Sequence, residues 1–326
     1  MSSVLTEKQF HNEAAAAYAF VEARIWANGV TCPHCGNADE AKIGKLNGAS
    51  TRIGVRKCYA CRKPFTVKVG TIFESSHVAL HLWLQAIFLM ASSKKGVSSN
   101  QLHRTLGVTL KTAWFMSHRL REAMREGNLG PLGGAGFTVE ADETYYGPKN
   151  DQTDPPRRAA EGPRSTNRNP KPGRHKRPIV GLVERAGQVR TFHVAQATKE
   201  NVAKLVTDNV HNESALMTDE SHLYKAVGKT FVSHDTTKHS AKEYVRYEGE
   251  KVVHSNTIES YFSVFKRGMR GVYQHCDEKH LHRYLAEFDF RHNRRVGLGV
   301  GDVARAASIL TGAVGKRLTY ETTSTR

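Results

Sequence analysis

Three carboxylates, Asp142, Asp219 and Glu259, stand in contexts suited to holding a divalent cation against a phosphodiester. Asp142 lies in Phe137-Thr-Val-Glu-Ala-Asp-Glu-Thr-Tyr-Tyr146, and Asp219 closes the short apolar run Ala215-Leu-Met-Thr-Asp219. Their β-branched, aromatic and apolar content predicts strands. Glu259 sits in a helical pattern: Ile258, Phe262, Phe265 and Met269 form one apolar stripe, while Asn256, Glu259, Ser263 and Lys266 share another face. Such a helix buries one side and offers the other to a ligand. Phosphodiester cleavage needs a water made nucleophilic near neutral pH and a leaving 3′ oxygen stabilised as its charge grows. Two Mg²⁺ (or Mn²⁺) ions about 3.5–4 Å apart serve both oxygens. Magnesium keeps much of its water, so three carboxylates suffice. Each acid also has a purely structural reading: a strand-edge surface acid for Asp142, a helix N-cap for Asp219 and a solvated helix acid for Glu259. Glu140 shares the Asp142 side of its strand and can substitute for it. Glu143 is not expected to be a ligand.

Four of the five cysteines form Cys32-Pro-His-Cys35 and Cys58-Tyr-Ala-Cys61, two Cys-x2-Cys knuckles separated by 22 residues. Two such turns complete a tetrahedral Zn²⁺ site, and four thiolates leave no position open for substrate, so this zinc is structural. Disulfides or a redox pair are the alternative, less suited to a basic chain with matched knuckles. His34 is expected on an exposed turn, and Cys276 is a lone thiol.

Five parts are expected around these groups. Residues 1–29 read as helical and 30–70 as the zinc ribbon. A region at 77–128 holds a buried helix and then Ser98 to Arg121, a helix-turn-helix in pattern, whose second helix carries Lys111, His118, Arg119 and Arg121. A purely structural helical hairpin is the alternative. The glycine-rich stretch 129–136 marks a boundary. The catalytic part spans 137–296, with strands at 137–146, 177–184, 188–195, 215–219 and 230–233. Gly187 is placed in the turn between the second and third strands, and a helix runs over 199–210. Residues 297–326 form a C-terminal helix and tail. Seven of the ten prolines fall in Gly147 to Pro178, a basic stretch too poor in apolar side chains to order itself. It is expected to be a mobile loop that orders on DNA.

The ordered set Val139-Glu-Ala-Asp-Glu-Thr-Tyr-Tyr146, Thr218-Asp219, His254-Ser-Asn-Thr-Ile-Glu259 with Lys266 seven residues on, and Glu287-Phe-Asp-Phe-Arg-His-Asn-Arg294 resembles the DDE transposases of bacterial insertion sequences, in the branch with an N-terminal zinc ribbon. With the cysteine pairs, the resemblance covers about residues 10 to 296. It implies an α/β, ribonuclease-H-like catalytic domain with a mixed sheet and flanking helices. It also implies Asp142 as the ligand bridging two metal ions, with Asp219 and Glu259 each completing one. Some relatives use a non-acidic third residue, which makes Asn256, one helical turn before Glu259, a reserve ligand; a helix cap is its other reading. Glu287 and Asn293 match the family's terminal motif and are read as structural.

Forty-eight Lys and Arg against 31 Asp and Glu leave a formal charge of +17 and a pI near 9.7, which points to a polyanionic partner. Lys266, Arg267 and Arg270 concentrate positive charge beside the Glu259 helix, and Arg283, Arg291, Arg294 and Arg295 extend it along a later one. No apolar run approaches the roughly 20 residues that cross a bilayer, and no basic-then-apolar leader is seen. A cytoplasmic, nucleoid-associated protein without a membrane partner is therefore expected. The leading functional reading is a transposase that binds terminal inverted repeats, cuts there and joins 3′ ends to target DNA, as a homo-oligomer in its synaptic complex. A regulator that kept the fold and lost catalysis, and a nuclease without strand transfer, are the alternatives.

Overall fold

The computed structural model describes residues 4–127, 129–147, 176–249 and 251–319. They form two compact units, Met1–Leu129 with Arg267–Arg326, and Gly130–Lys266. Most of the expected basic loop at 147–178 lies outside the described residues. In chain order the elements are α1 (Ala14–Ile25), β1 (Ile43–Lys45), β2 (Arg56–Cys58), β3 (Pro64–Phe65), α2 (Leu80–Ser92), α3 (Ser99–Leu106), α4 (Leu110–Met124), β4 (Thr138–Tyr146), β5 (Arg177–Glu184) and β6 (Val189–His193). They continue with α5 (Lys199–Asn209), β7 (Ala215–Asp219), β8 (Ser233–Thr237), β9 (Arg246–Glu248), β10 (Lys251–Val253), α6 (Asn256–Gly268), α7 (Leu281–Asn293) and α8 (Asp302–Thr311).

The first unit pairs a three-stranded antiparallel sheet, in order β1-β2-β3, with a helical core. Trp83, Leu84, Ile87 and Met90 of α2 are buried in that core. The turn between α3 and α4 follows from local chemistry. Ser98 Oγ accepts from Gln101 N at 3.1 Å, Gly107 ends α3 at φ +66°, and Thr109 Oγ1 accepts from Thr112 N at 3.1 Å. The helical pair forms as expected, but His118, Arg119 and Arg121 of its second helix are buried. Arg121 is 1% exposed and donates through Nε to Glu287 of α7 at 2.7 Å. Arg119 is buried too, and its guanidinium donates to the carbonyls of Ile72 at 2.8 Å and Glu74 at 2.9 Å. His118 is buried against Trp114, His280 and Tyr284, and burial drives its pKa down to about 2. Arg121 and His118 are buried where α4 packs on α7, and Arg119 where it meets the 72–74 segment; Lys111 alone of the expected DNA contacts on α4 is exposed.

The basic surface expected along α7 is likewise consumed. Arg283 pairs with Glu122, Arg294 with Glu126, and Arg291 is buried beside Glu287. Glu287 is 0% exposed and is held by Arg121, Arg291 and the hydroxyl of Tyr273. Burial pushes its pKa up, but Arg291 and Arg121 outweigh that and keep it ionised.

The second unit is built on a five-stranded sheet in order β6-β5-β4-β7-β8. β4, β5 and β6 form an antiparallel meander, while β7 runs parallel to β4 and β8 parallel to β7. That order and those directions are ribonuclease-H-like. Alternation sorts the strands: Val139, Ala141, Val180 and Leu182 join Val202 and Val206 of α5 in a core on one face. Thr198 caps α5 through Asn201 N. Ile258 and Phe262 of α6 approach Gly181 on the other face, so closely that a Cβ there would lie 2.6 Å from Phe262. Three details differ from the sequence pattern. The fifth strand begins at Ser233 rather than ending there, because Val227–Thr230 winds into a 3-10 turn. In the β5–β6 turn the positive φ falls on Ala186, at 58°, and not on Gly187. The β9–β10 hairpin was not foreseen; Gly249, at φ +63°, is its only sequence signal.

The Glu287 cluster generates a prediction. Glu287→Gln leaves Arg121 and Arg291 buried side by side without their shared counter-ion. Urea unfolding should show a loss of roughly 3–5 kcal/mol, and a loss below about 1 kcal/mol would contradict the assigned role.

Candidate active site

The β4–β7 register brings two of the expected acids together. Thr138, Val139 and Glu140 pair with Ala215, Leu216 and Met217 in parallel. Two further steps set Asp142 beside Asp219, the last residue of β7, at the carboxyl end of the strand where chains in such sheets turn away and leave space. Asp142 Oδ1 accepts from Glu143 N at 2.8 Å, and Asp219 Oδ1 accepts from Ser221 N at 3.0 Å.

α6 brings the third. Gly181 is the cross-strand partner of Asp142 on β5, so the position where the helix settles closest to the sheet adjoins the first acid. Glu259 Oε1 accepts from Ser255 Oγ at 3.0 Å and lies 3.3 Å from His239 Nε2. Its charge acts on Asp142, yet its oxygens are not in the tightest group. That group is Asp142, Glu143 and Asp219, each offering an oxygen within 4.8 Å of the others.

Glu143 is the unforeseen member. Strand alternation aims it away from Asp142, and its Oε1 accepts from Ser221 Oγ at 3.3 Å. β7 ends level with Asp142, so beyond that point β4 is paired only with β5 and its β7-side edge is open. No periodicity argument carries that information. Glu140, conversely, cannot substitute as a ligand. It is 0% exposed, and its oxygens accept from Arg185, Thr257 and Ile258. It also fills the capping role expected of Asn256, which is instead the first residue of α6.

The electrostatics follow from this crowding. Burial, then the charges of Asp219 and Glu143, push Asp142 up to about 7, with Glu259 adding to the effect. Burial raises Glu143 as well, with Asp219 contributing. Tyr224, beneath them, is raised well above its usual range by burial and then by Glu143 and Asp142. The charges acting most strongly on Asp142 are all negative, the electrostatic condition a divalent cation relieves. Oxygen ligands about 2.1 Å from such an ion lie up to about 4.2 Å apart, close to the spacing of this group.

The cysteines make a second metal-type group. Cys32, Cys35, Cys58 and Cys61 converge, with Sγ atoms 3.7 Å apart for Cys32 and Cys61 and 3.8 Å for Cys35 and Cys58. Tetrahedral thiolates at about 2.3 Å from zinc stand about 3.8 Å from one another, so the spacing fits that ion. Of the remaining basic residues singled out from the sequence, Lys266 is partly buried on α6, and Arg267 and Arg270 are exposed in the first unit. No described helix is long and apolar enough to cross a membrane.

Comparison with known proteins gives the family. Residues 131–293 match the ISXO2-like transposase domain, and residues 12–64 match the transposase zinc-ribbon domain. An uncharacterized protein in transposable element ISH50 of Halobacterium salinarum is 30% identical over 298 residues, covering 87% of this chain and 92% of that protein. Among solved structures, the Mos1 transposase paired-end complex with left transposon end aligns over 72% of this chain and 78% of that one, at 15% identity and a TM-score of 0.28. The Mos1 strand transfer complex aligns over the same shares at 13% identity and 0.26. Superpositions this loose carry no argument about fold or mechanism. The two sequence-family matches and the homologue suffice: this chain belongs to the ISXO2-like transposases and carries their zinc-ribbon domain.

Proposed function

We propose that this protein binds the terminal inverted repeats of its own insertion element, cleaves DNA at the ends and transfers the 3′ ends to target DNA. The observation that carries the reading is the convergence of Asp142 with Asp219 where β7 ends, with burial and then neighbouring negative charge pushing Asp142 up to about 7. Asp142 would be shared between two divalent cations, Mg²⁺ or Mn²⁺, with Asp219 helping to hold one and Glu259 the other. Bound cations of this kind activate water and stabilise the leaving 3′ oxygen. The chain's own residues orient that chemistry. Ser255 and His239 aim the Glu259 carboxylate, and Glu143 or Asn256 is the reserve ligand if Glu259 turns away. Lys266, Arg267, Arg270 and Lys111 supply phosphate contacts. Both ends must be handled together, which calls for a homo-oligomer in the synaptic complex, acting on DNA in the cytoplasm. The four thiolates hold a structural zinc.

In Mg²⁺, Asp142→Asn and Asp219→Asn lower end cleavage and strand transfer by at least about 10³-fold; full activity in either variant removes the site assignment. Joined products from pre-cleaved ends separate a transposase from a nuclease that only hydrolyses.

Metal-free stability depends on pH with a definite sign. Asp142 titrates near 7 in the fold against 3.8 as its ordinary value, so its contribution is complete below about pH 4 and is lost as pH rises through 7. Wild type should therefore become less stable than Asp142→Asn on going from pH 5 to pH 8, by on the order of 2 kcal/mol. Added Mn²⁺ should reverse the difference at pH 8 in wild type only. A pH-independent gap between the two proteins contradicts the crowded-acid account. Native mass spectrometry should find one zinc per chain and none in Cys58→Ser; zinc retained by that variant refutes the four-thiolate site.

A further inference from the structure

We propose that Glu140, acting with Arg185, is a positioning residue for the metal site: it ties the strand that carries Asp142 to the helix turn that carries Glu259. The proposal rests on the metal-dependent reading above. Glu140 lies two residues before Asp142 on the same face of β4, with no exposed surface. A lone carboxylate so placed is costly, and here four donors meet it. Arg185 Nε lies at 2.7 Å, Thr257 N at 2.8 Å, Thr257 Oγ1 at 2.9 Å and Ile258 N at 3.1 Å. Two of these donors are backbone amides of the first turn of α6, the turn that also carries Glu259. The remaining arms of Arg185 donate to the carbonyls of Val252 and His254, both at 2.8 Å, and so fix the segment entering the helix.

A tether is needed because Asp142 and Glu259 repel. The charge of Glu259 raises Asp142, so repulsion between the two acids favours moving the Glu259 turn away from β4. Glu140 opposes this by engaging the same turn, and the favourable meeting of an anion with a helix N-terminus adds to the hold. A buried acid could instead be a plain core ion pair, like Glu287. The difference is what it holds: Glu287 joins helices of the other unit, whereas Glu140 joins two carriers of metal-site carboxylates. Glutamine at this position keeps the shape but removes the charge and sets an amide N–H₂ against one of the two donor sets, either Arg185 Nε with Thr257 Oγ1 or the amides of Thr257 and Ile258.

The test is Mn²⁺ binding to the full-length protein, followed by electron paramagnetic resonance, for wild type, Glu140→Gln, Arg185→Lys, Asp142→Asn and Glu287→Gln. Glu140→Gln should weaken Mn²⁺ binding about 10–100-fold, the range seen when partners of metal ligands are removed. Strand transfer by that variant should recover partly at high Mn²⁺, and the amides of Thr257 and Ile258 should exchange faster. Arg185→Lys keeps the charge without the fork and should lose less, which tests the clamp even if Glu140→Gln folds poorly. Glu287→Gln should lose stability with Mn²⁺ binding unchanged. Wild-type Mn²⁺ affinity in both Glu140→Gln and Arg185→Lys overturns the proposal and leaves a core ion pair. Wild-type affinity in Asp142→Asn brings down the metal reading beneath it instead.

Discussion

The parallel register of β4 and β7 is the constraint on which the candidate site depends. It sets two acids side by side at a strand end, where like charge raises the energy of the folded chain and a bound cation lowers it. The rest of the second unit makes that placement firm. The meander of β4, β5 and β6 fixes β4 at the centre of the sheet, and the apolar face under α5 prevents slippage by one residue, which would turn Asp142 into the core. Gly181 lets α6 settle close enough for Glu259 to add its charge to the same place.

The chain treats buried carboxylates in two distinct ways. Glu287 and Glu140 are sealed from water, and each is met by arginine and by further donors that satisfy its oxygens. Such acids hold elements together and have little capacity left for a ligand. Asp142, Glu143 and Asp219 are only partly buried, and hydroxyls and backbone amides are what meet their oxygens. The strongest charges on Asp142 come from one another's neighbours and not from cations. Among the described residues, Arg119, Arg121, Arg185 and Arg291 are engaged away from this cluster.

Much of this was legible in the residues. The helical stripe of Ile258, Phe262, Phe265 and Met269 is the buried side of α6, with none more than 3% exposed. Strand chemistry located β4, β5 and β7, and the paired knuckles located the four thiols. Fates decided by long-range packing were not legible. Arg119 and Arg121 look like a recognition surface because nothing in the sequence near them shows that Ile72, Glu74 and Glu287 will meet them. Glu143 joined the acids because a neighbouring strand stops, and Glu140 became a cap because a helix 117 positions away begins against it. Periodicity assigns a face; it does not say what arrives at that face.

The central claim is that Asp142 and Asp219 jointly hold a divalent cation. Anomalous diffraction at the manganese edge, from crystals grown with Mn²⁺, tests it most directly. A peak about 2.1–2.2 Å from an oxygen of each carboxylate is the predicted result. Ordered Asp142 and Asp219 side chains with no peak between them, at Mn²⁺ concentrations that support DNA joining, would contradict it.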